Sequence, residues 1–149
     1  MVSNFTIRAA TAGDSETITA HRREMFWEMG HRDEQALEQM CAAFRPWLQQ
    51  KMAEREYLAW LAVSADDTIA AGLGLWLMIG PGARRVNILN VYTEPISRRR
   101  GLARRLVQTA LTWCGANGIR AVILHSSEDG RALYEALGFQ PTNEMRLLL

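Results

Sequence analysis

The apolar positions of this chain follow two different periods, and these periods predict its strands and helices. Residues 86–93 are apolar, with β-branched and aromatic members, which is typical of a strand, and Pro95 predicts where it ends. From Leu102 onward, apolar residues recur every three or four positions, which predicts a helix ending near Gly115. The loop between the two holds three consecutive arginines and Gly101. This strand, loop and helix organise the interpretation of the rest of the chain.

The residues before this unit predict two helices and a β-hairpin. The expected elements are a strand at 5–8, a helix ending at Met29, a second helix capped by Asp33, and hairpin strands at 57–63 and 68–79. Pro46 falls inside the second helix and removes one of its hydrogen bonds. We therefore expect a break or a kink near Arg45.

The residues after the unit predict a parallel strand pair and a final strand. The expected elements are a strand at 120–125, a loop at 126–130, a short helix at 131–137 and a last strand at 139–149, interrupted near Pro141. The resulting order is β-α-α-β-β-β-α-β-α-β, which is a mixed α/β fold. At 149 residues, the chain is expected to form one domain over 1–149.

The charge of the chain is concentrated in one place. The net charge is only +1, yet positions 98–105 hold five arginines and no acidic residue. Arginines beside the free backbone N–H groups of a helix start suit a phosphorylated ligand. The alternatives are a solvated charge run or a small nucleic-acid-binding surface that uses Arg84, Arg85 and 98–100. The nearly neutral total charge disfavours nucleic acid as a partner.

Composition also bears on the compartment. No run approaches the roughly 20 apolar residues of a membrane span, and the amino terminus shows no apolar secretory segment. Cys41 and Cys114 fall on the apolar faces of predicted helices, and neither a disulfide framework nor Cys/His metal spacing is visible. We expect a cytoplasmic protein without a membrane partner or a metal.

Two motifs together point to a family. The segment TEPISRRRGLA at 93–103 resembles the acyl-CoA signature of the GNAT N-acyltransferase superfamily, and ALYEALGF at 132–139 resembles its second signature. The motifs occur in the family's order and spacing, and the resemblance covers about 88–146. The predicted element order also matches the GNAT fold, which has a central mixed, mostly antiparallel sheet.

The resemblance implies acetyl-CoA as the cosubstrate. The positions that match the family's cofactor site are Val91, Tyr92, Thr93, Arg98, Arg99, Arg100, Gly101, Leu102, Ala103, Arg104 and Ser127. Backbone N–H groups of the arginine-rich loop would hold the pyrophosphate, and Val91 and Thr93 would pair with the pantetheine arm. A backbone N–H at 90–92 would polarise the thioester carbonyl. Ser127 stands where many relatives carry an asparagine.

The resemblance also implies catalytic roles. Tyr134 matches the tyrosine that protonates the departing thiolate. Many relatives carry a glutamate as general base where this chain has Asn87, so Glu94 on the same segment is the replacement candidate. Other candidates are Glu24, Glu28, His21, His31 and His125, or a chain of water molecules.

The expected reaction is direct attack of a primary amine on the thioester through a tetrahedral intermediate. The first two helices of this family form much of the acceptor side, and here they are rich in aromatic residues and methionine. Glu24 and Glu28 lie one turn apart and, with Trp27, are expected to bind a small amine of some apolar character. A protein amine as acceptor, a non-catalytic acyl-CoA-binding module and a homodimer remain open.

Overall fold

The elements follow the predicted order over most of the chain. A computed structural model describes residues 4–149, apart from the side chain of Ala83. Its strands and helices are β1 (Phe5–Ala9), α1 (Ser15–Glu28), α2 (Glu34–Ala53), β2 (Tyr57–Ser64), β3 (Ile69–Gly80), β4 (Ala83–Thr93), α3 (Leu102–Ala116), β5 (Ala121–Leu124) and α4 (Arg131–Ala136). Residues 1–3, with which the predicted domain begins, lie outside the described residues.

The five strands of the described residues form one sheet, and the helices pack against it. Its strand order is β1-β2-β3-β4-β5, so each strand pairs with its neighbour along the chain. The first four strands are antiparallel, and β5 is parallel to β4 because α3 returns the chain to the same end of the sheet. The prediction of a mixed, mostly antiparallel sheet in an α/β fold is confirmed.

Helices cover both faces of the sheet and create two apolar clusters. On one face, α3 buries Leu106 and Val107 against residues such as Leu75 of β3 and Val86 of β4. On the other face lies a smaller cluster, formed by residues of α1, α2 and β2: Ile18, Phe44, Leu48, Tyr57 and Ala59. The sheet is therefore apolar on both sides, which explains the nearly continuous apolar run of β3.

The break expected near Arg45 is wrong, and the kink expected as its alternative stays a prediction. Helix α2 continues from Glu34 to Ala53 with Pro46 inside it. A proline in a helix interior costs about 3 kcal/mol or more. Phe44 and Leu48, on either side of Pro46, are both buried in the smaller cluster, so their packing offsets this cost.

The predicted last strand is also wrong. Residues 139–149 have no strand structure, and the side chains of Met145, Leu147 and Leu148 are exposed. Strand β5 has only four residues and all are half-buried, so it offers a short edge for pairing. Pro141 has no N–H group to donate to such a ladder.

Candidate active site

A bulge in β4 opens a cleft at the middle of the sheet. Tyr92 faces Gly72 of β3 while Leu89 faces Gly74, so β4 has one more residue than β3 in this interval. Asn90 lies in the bulge and has a φ of 56°, a left-handed value that asparagine tolerates better than most residues. The pairing of β4 with β5 ends at Ile88, which leaves the edge of residues 89–93 without a β5 partner.

The cleft continues into a cavity of about 1100 Å³. The residues that resemble the family's acyl-CoA site and line this cavity are Val91, Tyr92, Thr93, Arg98, Arg99, Gly101, Leu102, Ala103, Arg104 and Ser127. Ten of the eleven predicted positions are thus brought together. Arg100 is the exception, because its guanidinium carbon lies 5.8 Å from the ring centroid of Phe5 instead.

The loop before α3 presents its backbone to the cavity. Arg99 and Gly101 have φ values of 61° and 73°, and the first helical bond is donated by the Arg105 amide to Gly101. The amides of Leu102 and Ala103 therefore have no acceptor within the helix. No heavy atom lies within 4 Å of the Cβ that Gly101 lacks, so the approach to these amides is open.

Tyr134 lies on α4 and lines the same cavity. Its ring packs edge-on against Phe139 at 5.9 Å between centroids, and burial raises the pKa of its phenol. A Cβ at Gly130 would lie 3.0 Å from the Tyr134 ring, which accounts for the glycine. The hydroxyl of Ser127 accepts a hydrogen bond from the Gly130 amide at 3.1 Å. Ser127 thereby holds the turn that begins α4.

The far end of the cavity has aromatic walls. The rings of Trp47 and Trp76 meet edge to face at 5.2 Å, and Phe44 packs against Trp47 at 5.8 Å. Met25 and Phe26 of α1 complete this surface. The cavity thus joins a polar, amide-bearing end at α3 to an apolar end between α1, α2 and the sheet.

Comparison with known proteins matches residues 19–139 to the Acetyltransferase (GNAT) family. The chain belongs to the GNAT acetyltransferase family. A GCN5-related N-acetyltransferase from Ralstonia eutropha JMP134 is 32% identical, with a TM-score of 0.90 over 97% of this chain and 98% of that one. A predicted acetyltransferase from Clostridium acetobutylicum, in a structure with acetyl-CoA, is 23% identical, with a TM-score of 0.86 over 97% and 96% of the two chains.

Among curated proteins, human N-acetyltransferase 8 is 26% identical over 110 residues, which are 70% of this chain and 48% of that protein. The GNAT chain thus spans about half the length of this relative. No helix in the described residues is long and apolar enough to cross a membrane. The same part of the chain holds no group of three or more His, Cys, Asp or Glu side chains suited to a metal ion.

Glu94, the predicted base of this GNAT protein, does not line the cavity. Its carboxylate lies 3.6 Å from the Nε2 atom of His21. His21 is also outside the cavity lining, and burial lowers its pKa to about 4. The structure therefore does not bring Glu94 to the site where an acceptor amine would lie, and the expectation that it acts as the base receives no support from its position.

The predicted acceptor residues of α1 lie on different sides of the helix. Glu28 lines the cavity, but both of its carboxylate oxygens accept hydrogen bonds from Arg98. Glu24 and Trp27 do not line it. Glu24 is exposed, with an oxygen 3.8 Å from Arg23, and Trp27 stacks under the guanidinium of Arg32 at 4.5 Å. The three residues do not form one amine site.

Sequence reasoning missed Arg22, which lines the cavity from α1. Its Nη1 atom donates to Oδ1 of Asn90 at 2.7 Å, and Nδ2 of Asn90 donates to the Tyr57 hydroxyl at 2.8 Å. A signal was present in the sequence, because Arg22 shares the helical stripe of Ile18 and Met25. A charged residue in the middle of an apolar stripe indicates a cation that is at least half-buried.

Proposed function

We propose that the protein is an acetyl-CoA-dependent N-acetyltransferase whose acceptor is a primary amine on a small molecule. The observation that carries the proposal is the single cavity at the β4 bulge. It joins the open amides before α3, the edge of β4 without a β5 partner, and Tyr134 to an aromatic end. A donor and an acceptor can enter such a cavity from opposite ends and meet at the bulge.

The residues around the cavity fit acetyl-CoA. The amides of Leu102, Ala103 and Arg104 at the positive end of α3 would bind the pyrophosphate, with the arginine side chains around them. The edge of β4 at Val91 and Thr93 would pair with the amides of the pantetheine arm. When bound, acetyl-CoA supplies an acyl group that is activated as a thioester.

The transfer forms an N–C bond and breaks the C–S bond. The amine nitrogen attacks the carbonyl carbon, and backbone N–H groups at the bulge stabilise the oxyanion. The electron pair of the broken bond goes to sulfur, and Tyr134 donates the proton that this thiolate takes up. A phenol is protonated at neutral pH, as an acid must be, and burial raises the pKa of Tyr134 further.

The acceptor nitrogen loses its first proton to water in this mechanism. Among the described residues, the acids that line the cavity are Glu28 and Asp129. Glu28 is paired with Arg98, so its oxygens are occupied. Asp129 and His125 also line the cavity, and neither is needed as a base if the ammonium releases its first proton to solvent. The proton lost after attack then replaces the one that Tyr134 gives to sulfur.

The aromatic end supports a small acceptor. Trp47 and Trp76 close the wall between α2 and the sheet, so an acceptor amine reaches the bulge from an apolar compartment. Calorimetric titration with acetyl-CoA, desulfo-CoA and ATP tests the donor, and amine-dependent release of free thiol tests the transfer. We expect both CoA compounds to bind much more tightly than ATP. Binding without release for any amine would leave a non-catalytic acyl-CoA-binding module.

A further inference from the structure

Arg22 is a half-buried cation without an acidic partner among the described residues. None of the ion pairs among the described residues includes Arg22, and its Nε atom is buried without a hydrogen-bond partner. Its contacts are the amide oxygen of Asn90 and the rings of Phe26 and Phe44, whose centroids lie 4.9 and 4.8 Å from its Cζ atom. Burial lowers the pKa of Arg22, which reflects the loss of hydration.

A charge placed in this way costs free energy unless a counter-charge is present. Arginine stays protonated in proteins, so the site cannot become neutral by losing a proton. Arg98 shows the contrast within the same cavity, because its charge is balanced by Glu28. The unbalanced charge of Arg22 therefore selects for an anion in the aromatic end of the cavity.

A second unpaired polar atom belongs to Asn87, which lines the same cavity. Oδ1 of Asn87 is buried without a hydrogen-bond partner, and Asn87 lies opposite Trp76 in the pairing of β3 with β4. An amide oxygen accepts hydrogen bonds, so it suits the N–H groups of an amine. The cavity thus offers one cation, one acceptor and an aromatic wall, and the three belong to different elements of the fold.

We propose that the acceptor is an α-amino acid with an apolar or aromatic side chain, whose carboxylate pairs with Arg22. The amine is then held by Oδ1 of Asn87, and the side chain packs against Trp47 and Trp76. This inference rests on the proposed acetyltransferase function and names its substrate class. It replaces the expectation that Glu24 and Glu28 hold the amine.

A carboxylate fits the site better than a phosphate. Arg22 supplies one cation between two aromatic rings, and the other arginines that line the cavity, apart from Arg146, belong to the loop before α3 or to the first turn of α3. A planar guanidinium matches a carboxylate with two parallel hydrogen bonds. A phosphate dianion would need additional donors.

The test compares amines that differ only in the carboxylate. L-Phenylalanine, L-phenylalaninamide and phenethylamine share the ring and the amine, and O-phosphoethanolamine, which has an amine and a phosphate but no carboxylate, tests a phosphate. We expect kcat/KM for L-phenylalanine to exceed the values for its amide and for phenethylamine by on the order of 10²-fold, because these two amines leave the half-buried cation unpaired. Equal or faster acetylation of phenethylamine would overturn the inference, and so would a preference for the phosphorylated compound.

The Arg22→Met variant tests the assignment to this residue. It keeps an apolar stem of similar length and removes the charge, so the ratio of kcat/KM for L-phenylalanine over phenethylamine should fall toward one. Asn87→Leu should raise KM for all three amines. Titration with acetyl-CoA reports whether each variant is folded, and the wild-type comparison decides the inference if Arg22→Met does not fold.

The two proposals fail in different ways. Absence of acetyl-CoA binding, or of thiol release with every amine, would contradict the acetyltransferase function. If acetyl-CoA binds and thiol release is the same for amines with and without a carboxylate, the acetyltransferase function stands. Only the amino acid as its acceptor is then excluded.

Discussion

Arg98 of the loop before α3 is held by Glu28 at the end of α1. The Nη2 atom of Arg98 donates to both carboxylate oxygens of Glu28 at 2.7 Å, and its Nε atom donates to the carbonyl of Thr93 at 2.9 Å. Glu28 raises the pKa of Arg98 through this pairing. The contact joins the acceptor-side helix to the proposed cofactor loop, and the two residues are 70 positions apart in the chain.

Glu28→Gln should therefore weaken acetyl-CoA binding more than acceptor binding. The ion pair is about 40% exposed on both sides, and exposed pairs contribute about 0–1 kcal/mol, so we expect a Kd increase of about two- to fivefold. Glu24→Gln, one turn earlier and outside the cavity lining, is the matched control and should leave the Kd unchanged. A rise in the acceptor KM with an unchanged acetyl-CoA Kd would show that Glu28 binds the amine instead.

Gly101→Glu should abolish acetyl-CoA binding by calorimetry. A carboxylate beside the bound pyrophosphate brings like charges together, and we expect the Kd to rise on the order of 10²-fold or more. Gly118→Glu is the matched control, because Gly118 has a similar φ of 70°, no heavy atom near its absent Cβ and no place in the cavity lining. Equal loss of binding in both variants would point to backbone strain and not to the cofactor site.

Tyr134→Phe should lower kcat while acetyl-CoA binding stays close to that of the wild type. General acid catalysis contributes about 10²- to 10⁴-fold, so we expect a fall of at least about 10²-fold. Steady-state kinetics with the best amine, together with the acetyl-CoA Kd, measure the two effects. Equal turnover by the phenylalanine variant would exclude Tyr134 as the acid.

His21 should make the protein less stable at mildly acidic pH. Burial lowers the pKa of His21 to about 4, while an unfolded chain titrates near 6.5. The unfolded state binds the additional proton between these values, so stability is complete above about pH 6.5 and is lost as the pH falls. Between pH 7 and pH 5, the loss should be about 2 kcal/mol.

Urea unfolding at the two pH values measures this effect. His21→Gln should lose less stability than the wild type over the same interval, because the variant has no group to titrate there. His31→Gln is the control, since His31 is exposed, and it should lose as much stability as the wild type. An identical loss in His21→Gln would show that other groups cause the acid sensitivity.

Gly74→Ala should disturb the support of the bulge. A Cβ at Gly74 would overlap the hydroxyl of the fully buried Tyr57, which holds Asn90, and Asn90 holds Arg22. We expect a loss of about 1–3 kcal/mol in the free energy of unfolding, as for other overpacked sites. Gly80→Ala, on the same strand with open space around it, should change stability by less than about 1 kcal/mol.

The Gly74→Ala and Gly80→Ala variants also test the proposed acceptor site. If Tyr57 and Asn90 position Arg22, Gly74→Ala should also reduce the discrimination between L-phenylalanine and phenethylamine. Gly80→Ala should not, because Gly80 does not line the cavity. Retained discrimination in a destabilised Gly74→Ala variant would show that Arg22 is held by its aromatic neighbours alone.

Local patterns in the sequence were enough to predict most of the fold and the cofactor end of the site. Apolar periodicity predicted α1, α3 and the strands, since burial of one helix face or of alternate strand residues is a local property of the chain. The loop at 98–104 was predictable because its glycine, its arginines and the start of α3 are adjacent in the chain. Ten of the eleven positions that the family resemblance implied, among them Val91 on β4 and Ser127 before α4, line the cavity.

Only the tertiary structure decided the aromatic end of the cavity and the last elements. Arg22 meets Asn90 across 68 positions, and Glu28 meets Arg98 across 70. Such pairs depend on how α1 packs over the sheet, which periodicity does not specify. Packing of α2 against the sheet likewise keeps this helix continuous through Pro46. Residues 139–149 form no strand because they bury little surface and β5 is too short to pair with them, so nothing offsets the entropy lost on ordering.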